Sequence, residues 1–191
     1  GVDNVCERAA AAAAEYVRGM DRPELKREDA VPALGRMTGY ARRKSGFSPR
    51  WVTQLLQNYM MPYYILHIKE QKRLEATLTL VEYLREQMIP KLYAPDLHTL
   101  RLAHETESMA LHAEAVLRAS LFRTESRGWH FREDYPAERD PEWLAWNQIY
   151  LGKDGRMKLE KKPLPEEWLP ARPAAYRRRW LAWEHPAEGE Q

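Results

Sequence analysis

The chain has 191 residues, 44% of them hydrophobic and 30% charged, enough for a core and a well-solvated surface. A net charge of +2 argues against a nucleic-acid binder, in which a basic excess is usually plain. The single cysteine, Cys6, excludes an internal disulfide and an iron–sulfur cluster built within the chain, which needs about four cysteine ligands; it suits a reducing compartment.

Residues 5–17 predict a helix rich in alanine, the strongest helix former, ended by Gly19. Its run of alanines, 9–14, lies between Arg8 and Glu15 and falls far short of the ~20 apolar residues of a membrane span. The chain starts at Gly1, which fits an excised piece or removal of an initiator Met. Residues 21–48, punctuated by Pro23, Pro32, Gly35, Gly39 and Gly46, read as a linker without a long helix. Arg36, Arg42, Arg43, Lys44 and Arg50 have no acidic residue between them. They suit a solvated loop, or an arm facing an anion or a subunit.

Three helices are expected next. Ser48-Pro49 marks the start of the first, with Val52, Leu55, Leu56, Tyr59 and Met60 at helical spacing and Pro62 as its stop or kink. The second spans about 69–88, with Leu74, Leu78, Val81, Leu84 and Met88 on one stripe, and Pro90 stops it. The third is capped by Asp96 and continues to Arg127, where Gly128 breaks it, a length of ~45 Å. Short connections favour an antiparallel three-helix bundle over 49–128. The fold class is therefore mainly α.

Residues 129–191 differ in composition. Residues 147–151 and 156–160 flank Gly152-Lys153-Asp154-Gly155, the pattern of a β-hairpin. Beyond it, Trp168, Tyr176, Trp180 and Trp183 among prolines suggest an extended docking tail that lays aromatic rings on another surface. Arg177-Arg178-Arg179-Trp180 joins cations to an aromatic ring, as in single-strand nucleic-acid binders, but Glu184, Glu188 and Glu190 blunt that reading.

Spacing offers no metal site. His104-Glu105-Thr106-Glu107-Ser108 begins like a zinc-protease helix but has Ser108 where the second histidine belongs. His104 and His112 are eight residues apart, too far to share an ion easily. No glycine-rich phosphate loop or nucleophile motif occurs, so no catalytic, cofactor-binding or metal residue is expected in this chain.

The densest chemistry lies where the third helix ends: Phe122-Arg123-Thr124-Glu125-Ser126-Arg127-Gly128-Trp129-His130-Phe131-Arg132-Glu133-Asp134-Tyr135-Pro136. Arg123, Glu125, Ser126, Arg127, His130, Arg132 and Asp134 are the candidate interface or site-supporting residues. Arg127 suits the negative end of a helix dipole. After the Gly128 turn, His130, Arg132 and Asp134 are expected to point away from the bundle. A charged cap that fixes the helix exit and a part in a nearby dicarboxylate site, read by guanidinium pairs, both fit.

This run resembles a segment near the C-terminus of the fumarate reductase and succinate dehydrogenase flavoprotein subunits, with L-aspartate oxidase and the flavin-binding chain of adenylylsulfate reductase as relatives. The likeness covers about 45–165 and is strongest over 121–136. Residues 55–60, 84–92, Leu97-His98-Thr99-Leu100, Arg139-Asp140, Trp143 and 155–163 also agree, and 9–17 looks like the last helix of the flavin domain. Trp129 departs from the family, which usually has a small residue there. The substrate class thus stays open between dicarboxylates and something bulkier, including adenylylsulfate.

The resemblance implies the C-terminal helical domain of an FAD-dependent oxidoreductase, with 1–20 as a remnant helix of its FAD-binding domain. FAD would belong to the parent enzyme, and the 191-residue chain alone would bind none and turn over no substrate. The implied partners are the FAD-binding and capping domains and an iron–sulfur subunit. No nucleic acid and no direct membrane insertion are expected. The implied location is cytoplasmic, with a membrane-peripheral position through partner subunits left open. The rival reading is a freestanding helical module that binds protein or RNA.

Overall fold

A computed structural model describes residues 2–24 and 26–165. Helices account for most of the regular structure: α1 Val2–Arg18, α2 Arg27–Thr38, α3 Pro49–Met60, α4 Tyr63–Leu66, α5 Gln71–Tyr83 and α6 Leu97–Phe122. Among the described residues four short strands complete it: β1 Ile68–Lys69, β2 Phe131–Arg132, β3 Ala145–Leu151 and β4 Met157–Pro163. The protein is mainly helical with two small two-stranded sheets.

The chain chemistry explains where the central helices start and stop. Pro49 opens α3, although the Ser48 side chain makes no capping bond; its carbonyl accepts from Val52 instead, at 3.1 Å. Pro62 closes α3 just beyond Met61. Glu70 caps α5 by accepting from the Lys72 and Arg73 amides at 3.0 and 3.1 Å, so the helix begins at Gln71 rather than at residue 69. Helical turns then run on through a widened turn, Leu84–Met88, and a tight one, Ile89–Lys91, in which Pro90 lacks the amide needed to continue. Asp96 caps α6 by accepting from Thr99 at 2.7 Å.

The core lies where α3, α5 and α6 pack on one another. Val52 and Leu56 from α3 meet Leu74 and Val81 from α5, Leu84, and Ala103, Ala110 and Leu117 from α6. Alanines on α6 let the neighbouring backbones approach closely. The buried Thr106 hydroxyl is satisfied by the Leu102 carbonyl at 2.8 Å and lies 2.7 Å from the Thr53 hydroxyl.

Two expectations are corrected here. Residues 21–48 are not free of helix: α2 forms around Pro32 and Gly35, with the Asp29 carboxylate accepting from the Lys26 amide at 2.9 Å. Residues 40–47 are also pinned to the core rather than fully solvated. The buried Tyr40 hydroxyl donates to Glu107 at 3.0 Å, Phe47 and Tyr93 bond backbone to backbone, and Arg43 donates to the Leu92 carbonyl at 3.0 Å. The second correction concerns α6, which ends at Phe122 rather than Arg127, because Arg123 turns to extended backbone. Its 26 residues make it ~39 Å long.

The hairpin is longer than its sequence pattern suggested, 145–151 paired with 157–163, and antiparallel. Gly155 supplies the positive φ, 73°, that its turn requires. The extended tail and the Arg177–Trp180 cluster lie outside the described residues.

Replacing Leu117, 1% exposed at the α6 contact, by Ala is expected to cost about 2–5 kcal/mol in urea unfolding. Leu97→Ala, at an 84% exposed position on the same helix, should change stability by less than about 0.5 kcal/mol.

Candidate functional site

The last carbonyls of any helix lack intrahelical donors. At the end of α6 a side chain from β2 provides them. Arg132, 1% exposed, donates from Nη1 to the carbonyls of Ser120, Leu121 and Arg123 at 2.7, 3.4 and 3.4 Å. The other edge of its guanidinium forms a two-pronged pair with Asp134, Nε–Oδ1 2.7 Å and Nη2–Oδ2 2.6 Å. Asp134 also accepts from the Gln71 amide, the first residue of α5, at 3.1 Å. One Arg–Asp pair thus places a cation at the C-terminus of α6 and a carboxylate at the N-terminus of α5, complementing both helix dipoles.

β1 holds this pair in place. Ile68 and Lys69 run parallel to Phe131 and Arg132, and the Ser126 hydroxyl, accepting from the Arg132 amide at 2.8 Å, closes the other side of β2. Ser126 Oγ also lies 2.9 Å from the Tyr135 carbonyl.

A second knot forms around Glu125, which is fully buried. Its Oε1 accepts from Arg123 Nε and Nη2 at 2.9 and 2.5 Å and from Arg127 Nε at 2.8 Å. Its Oε2 accepts from Arg127 Nη2 at 3.0 Å and from the Arg139 amide at 2.8 Å. Burial alone would push the Glu125 carboxyl upward, but hydrogen bonds from Arg127, the Arg139 amide and Arg123 outweigh it and hold the pKa below the usual carboxylate range. Arg123 reaches onward to the carbonyls of Trp143 and Ala145 at 2.9 and 3.1 Å, fastening the base of the hairpin. Arg127 also pairs with Asp140.

His130 is half-buried between these knots, with Nε2 3.2 Å from the Arg123 carbonyl. Burial holds its pKa below the ordinary value; the carbonyl opposes this, and the charges of Lys69, Arg132 and Arg123 add to it. Between Arg127 and His130 the chain makes a tight turn. Gly128 takes a φ of 57°, and Trp129 at the tip is 94% exposed.

All seven residues expected to act together are therefore in one region, but not as foreseen. Arg132 and Asp134 point into the helix ends rather than away from them, and His130 packs against the exit. The orphan carbonyls and the α5 amide draw these polar groups inward. Arg127 lies beyond the end of α6 and serves Glu125 and Asp140 instead of the dipole. Because each guanidinium of Arg123, Arg127 and Arg132 is engaged by carboxylate or carbonyl oxygen, the arrangement acts as a clasp. It offers no ready fork for a substrate carboxylate.

Sequence reasoning gave no site role to Lys69, read as the start of the second helix, or to Trp143, noted only for its family likeness. Lys69 is buried, donates to the Leu66 carbonyl at 2.7 Å, and has its pKa pushed down by burial and by Arg132. A two-residue strand leaves no readable periodicity. Trp143 lies between cations, its ring centre 4.0 Å from Lys161 and 5.2 Å from Arg123. Among the described residues no cluster of three or more His, Cys, Asp or Glu is placed to hold a metal, and no helix is long and apolar enough to cross a membrane. His104 and His112 each lie beside a backbone carbonyl, Met37 at 2.9 Å and Ser108 at 2.7 Å.

The fold and the clasp define a helical domain whose long helix is locked at its exit by buried ion pairs. The model of the fumarate reductase flavoprotein C-terminal family matches residues 53–177, and the chain belongs to that family. Among curated relatives, a fumarate reductase (CoM/CoB) subunit of Methanothermobacter marburgensis is 36% identical over 80 residues, 40% of this chain and 14% of the relative. The succinate dehydrogenase flavoprotein subunit of Rickettsia bellii is 34% identical over 62 residues, 32% of this chain and 10% of the relative. A Mycobacterium smegmatis Sdh1 structure superposes with a TM-score of 0.70 at 23% identity, covering 80% of this chain and 27% of that one. The E. coli quinol fumarate reductase FrdA gives 0.67 at 20%, covering 87% and 28%. The chain thus spans a minor part of each of these proteins.

Glu125→Gln keeps the shape but removes the charge that binds two arginines. It is expected to cost about 3 kcal/mol or more in chemical denaturation, against less than about 0.5 kcal/mol for Glu86→Gln on the surface. His130 has a folded pKa below its unfolded value of about 6.5, so its contribution to stability is complete above that pH and is lost as pH falls through the folded value. Urea melts across the acid range should show a shallower decline for His130→Asn than for the parent chain.

Proposed function

We propose that this chain is the C-terminal helical domain of an FAD-dependent oxidoreductase that interconverts a dicarboxylate and its unsaturated partner, as in fumarate reductase and succinate dehydrogenase. The observation that carries the reading is the family match across the region containing the 122–136 clasp. In the parent enzyme the flavin would exchange a hydride with a carbon beside a carboxylate. The described residues do not themselves fit FAD. No glycine-rich turn leads from a strand into a helix, and the clasp's guanidinium groups are engaged, so no reaction step is assigned to this chain.

Its role in this reading is mechanical. Residues 49–128 act as an antiparallel three-helix bundle, 21–48 connect it to the body of the enzyme, and α1 is the last helix of the FAD-binding domain. Exposed apolar side chains on α1 and α2, among them Tyr16, Val17, Val31 and Leu34, suit burial against that domain. Arg123, Glu125, Ser126, Arg127, His130, Arg132 and Asp134 support the surface on which the flavin and capping domains rest. An iron–sulfur subunit completes the electron path, and the enzyme is cytoplasmic or membrane-peripheral through its partners.

The parent polypeptide is expected to purify with stoichiometric FAD and to reduce fumarate or oxidise succinate with a redox dye, while the 191-residue chain purifies colourless. A stoichiometric flavin retained by the chain alone through gel filtration would end this division of roles. A flavin-free parent would end the reading itself.

A further inference from the structure

The helix α2 is weakly held. Its 12 residues include Pro32 and bury no side chain, and a helix that short is marginal in water by itself. Val31, Leu34 and Met37 on it are more than half exposed. From the bundle, the imidazole of His104 on α6 reaches its last turn, with Nε2 2.9 Å from the Met37 carbonyl oxygen.

The other ring nitrogen faces an acceptor too. Nδ1 lies 3.5 Å from Glu107 Oε2, the same oxygen that accepts from the Tyr40 hydroxyl at 3.0 Å. The Tyr40 and His104 rings are in contact, their centres 5.2 Å apart. Burial, and then the Glu107 carboxylate, push the Tyr40 hydroxyl far above its ordinary pKa, so it stays a donor to Glu107. A neutral imidazole has one N–H and one lone pair. In either tautomer the lone pair would point at an oxygen, that of Met37 or that of Glu107. Only the imidazolium offers a donor to both. At 3.5 Å the second contact is an ion pair rather than a short hydrogen bond, and it favours the same charged form.

We propose that His104 is a proton-operated latch: its imidazolium form ties the last turn of α2 to α6, and loss of the proton releases α2. The latched state holds one proton more than the released one, so the latch closes at low pH and opens as pH rises. A cation beside the C-terminus of α2 also complements that helix's dipole. The surrounding charges are few. Arg43 lies 5.6 Å from the Tyr40 ring centre, Arg36 stands in the last turn of α2, and Arg101 and Glu105 on α6 pair with each other at 2.5 Å. His112, further along α6, is turned to the Ser108 carbonyl at 2.7 Å. Release would free α2 and its exposed apolar side chains to move relative to the bundle. The inference rests on contacts within the described residues and not on the proposed oxidoreductase activity.

The test is amide hydrogen exchange on the full 191-residue chain, read by mass spectrometry on peptides covering 27–38 and, for reference, 50–60, after correction for intrinsic exchange. Between about pH 5 and about pH 8 the protection of 27–38 should fall about threefold or more while that of 50–60 holds. His104→Gln, which cannot titrate, should show no such step. Glu107→Gln should keep 27–38 protected across the range, because its amide can donate to Nδ1 of the neutral ring. Both side chains are partly exposed, so both variants should fold. Protection of 27–38 that does not change with pH in the parent chain overturns the proposal. So does a step that survives either substitution, or one that 50–60 shares.

Discussion

The structure turns on the open carbonyl end of α6. A helix of 26 residues leaves its last carbonyls without internal donors, and here that end is covered by protein. Arg132 satisfies those carbonyls, and Asp134 both neutralises the guanidinium and caps α5. Removing water from an arginine is costly unless its hydrogen bonds are replaced. The α6 carbonyls and Asp134 replace them, while the short β1–β2 pairing and the Ser126 hydroxyl, which accepts from the Arg132 amide, hold the backbone that aims the guanidinium.

Glu125 extends the same logic to the C-terminal third of the described chain. A fully buried carboxylate is tolerable only when paired and multiply hydrogen-bonded, and its partners come from Arg123, Arg127 and the Arg139 backbone. Arg123 then continues to the carbonyls of Trp143 and Ala145. The hairpin is thereby coupled to the helix exit through one guanidinium. A dense cluster of charge in this family segment can thus be architectural, tying the helix exit to the hairpin.

Much of the helical core was legible because its signals are local. Pro62, Pro90 and Asp96 act on the backbone within a turn, and the Leu74–Leu78–Val81 stripe has helical period whatever surrounds it. The hairpin was legible for the same reason, through the turn chemistry of Gly152 to Gly155. The helix α2 was not, because Pro32 and Gly35 argue locally against helix, and the Asp29 capping contact at its N-terminus was not read from the sequence. Among the candidate site residues, identity was visible and orientation was not.

The sequence by itself determined which residues carry charge at the helix exit, where the long helices could begin, and which family this pattern belongs to. Only the tertiary structure decided that Arg132 and Asp134 turn inward and that Lys69 joins them. Those outcomes depend on groups more than 60 residues apart, Gln71 and Asp134 among them. No local pattern can report a hydrogen bond whose donor is supplied by another helix.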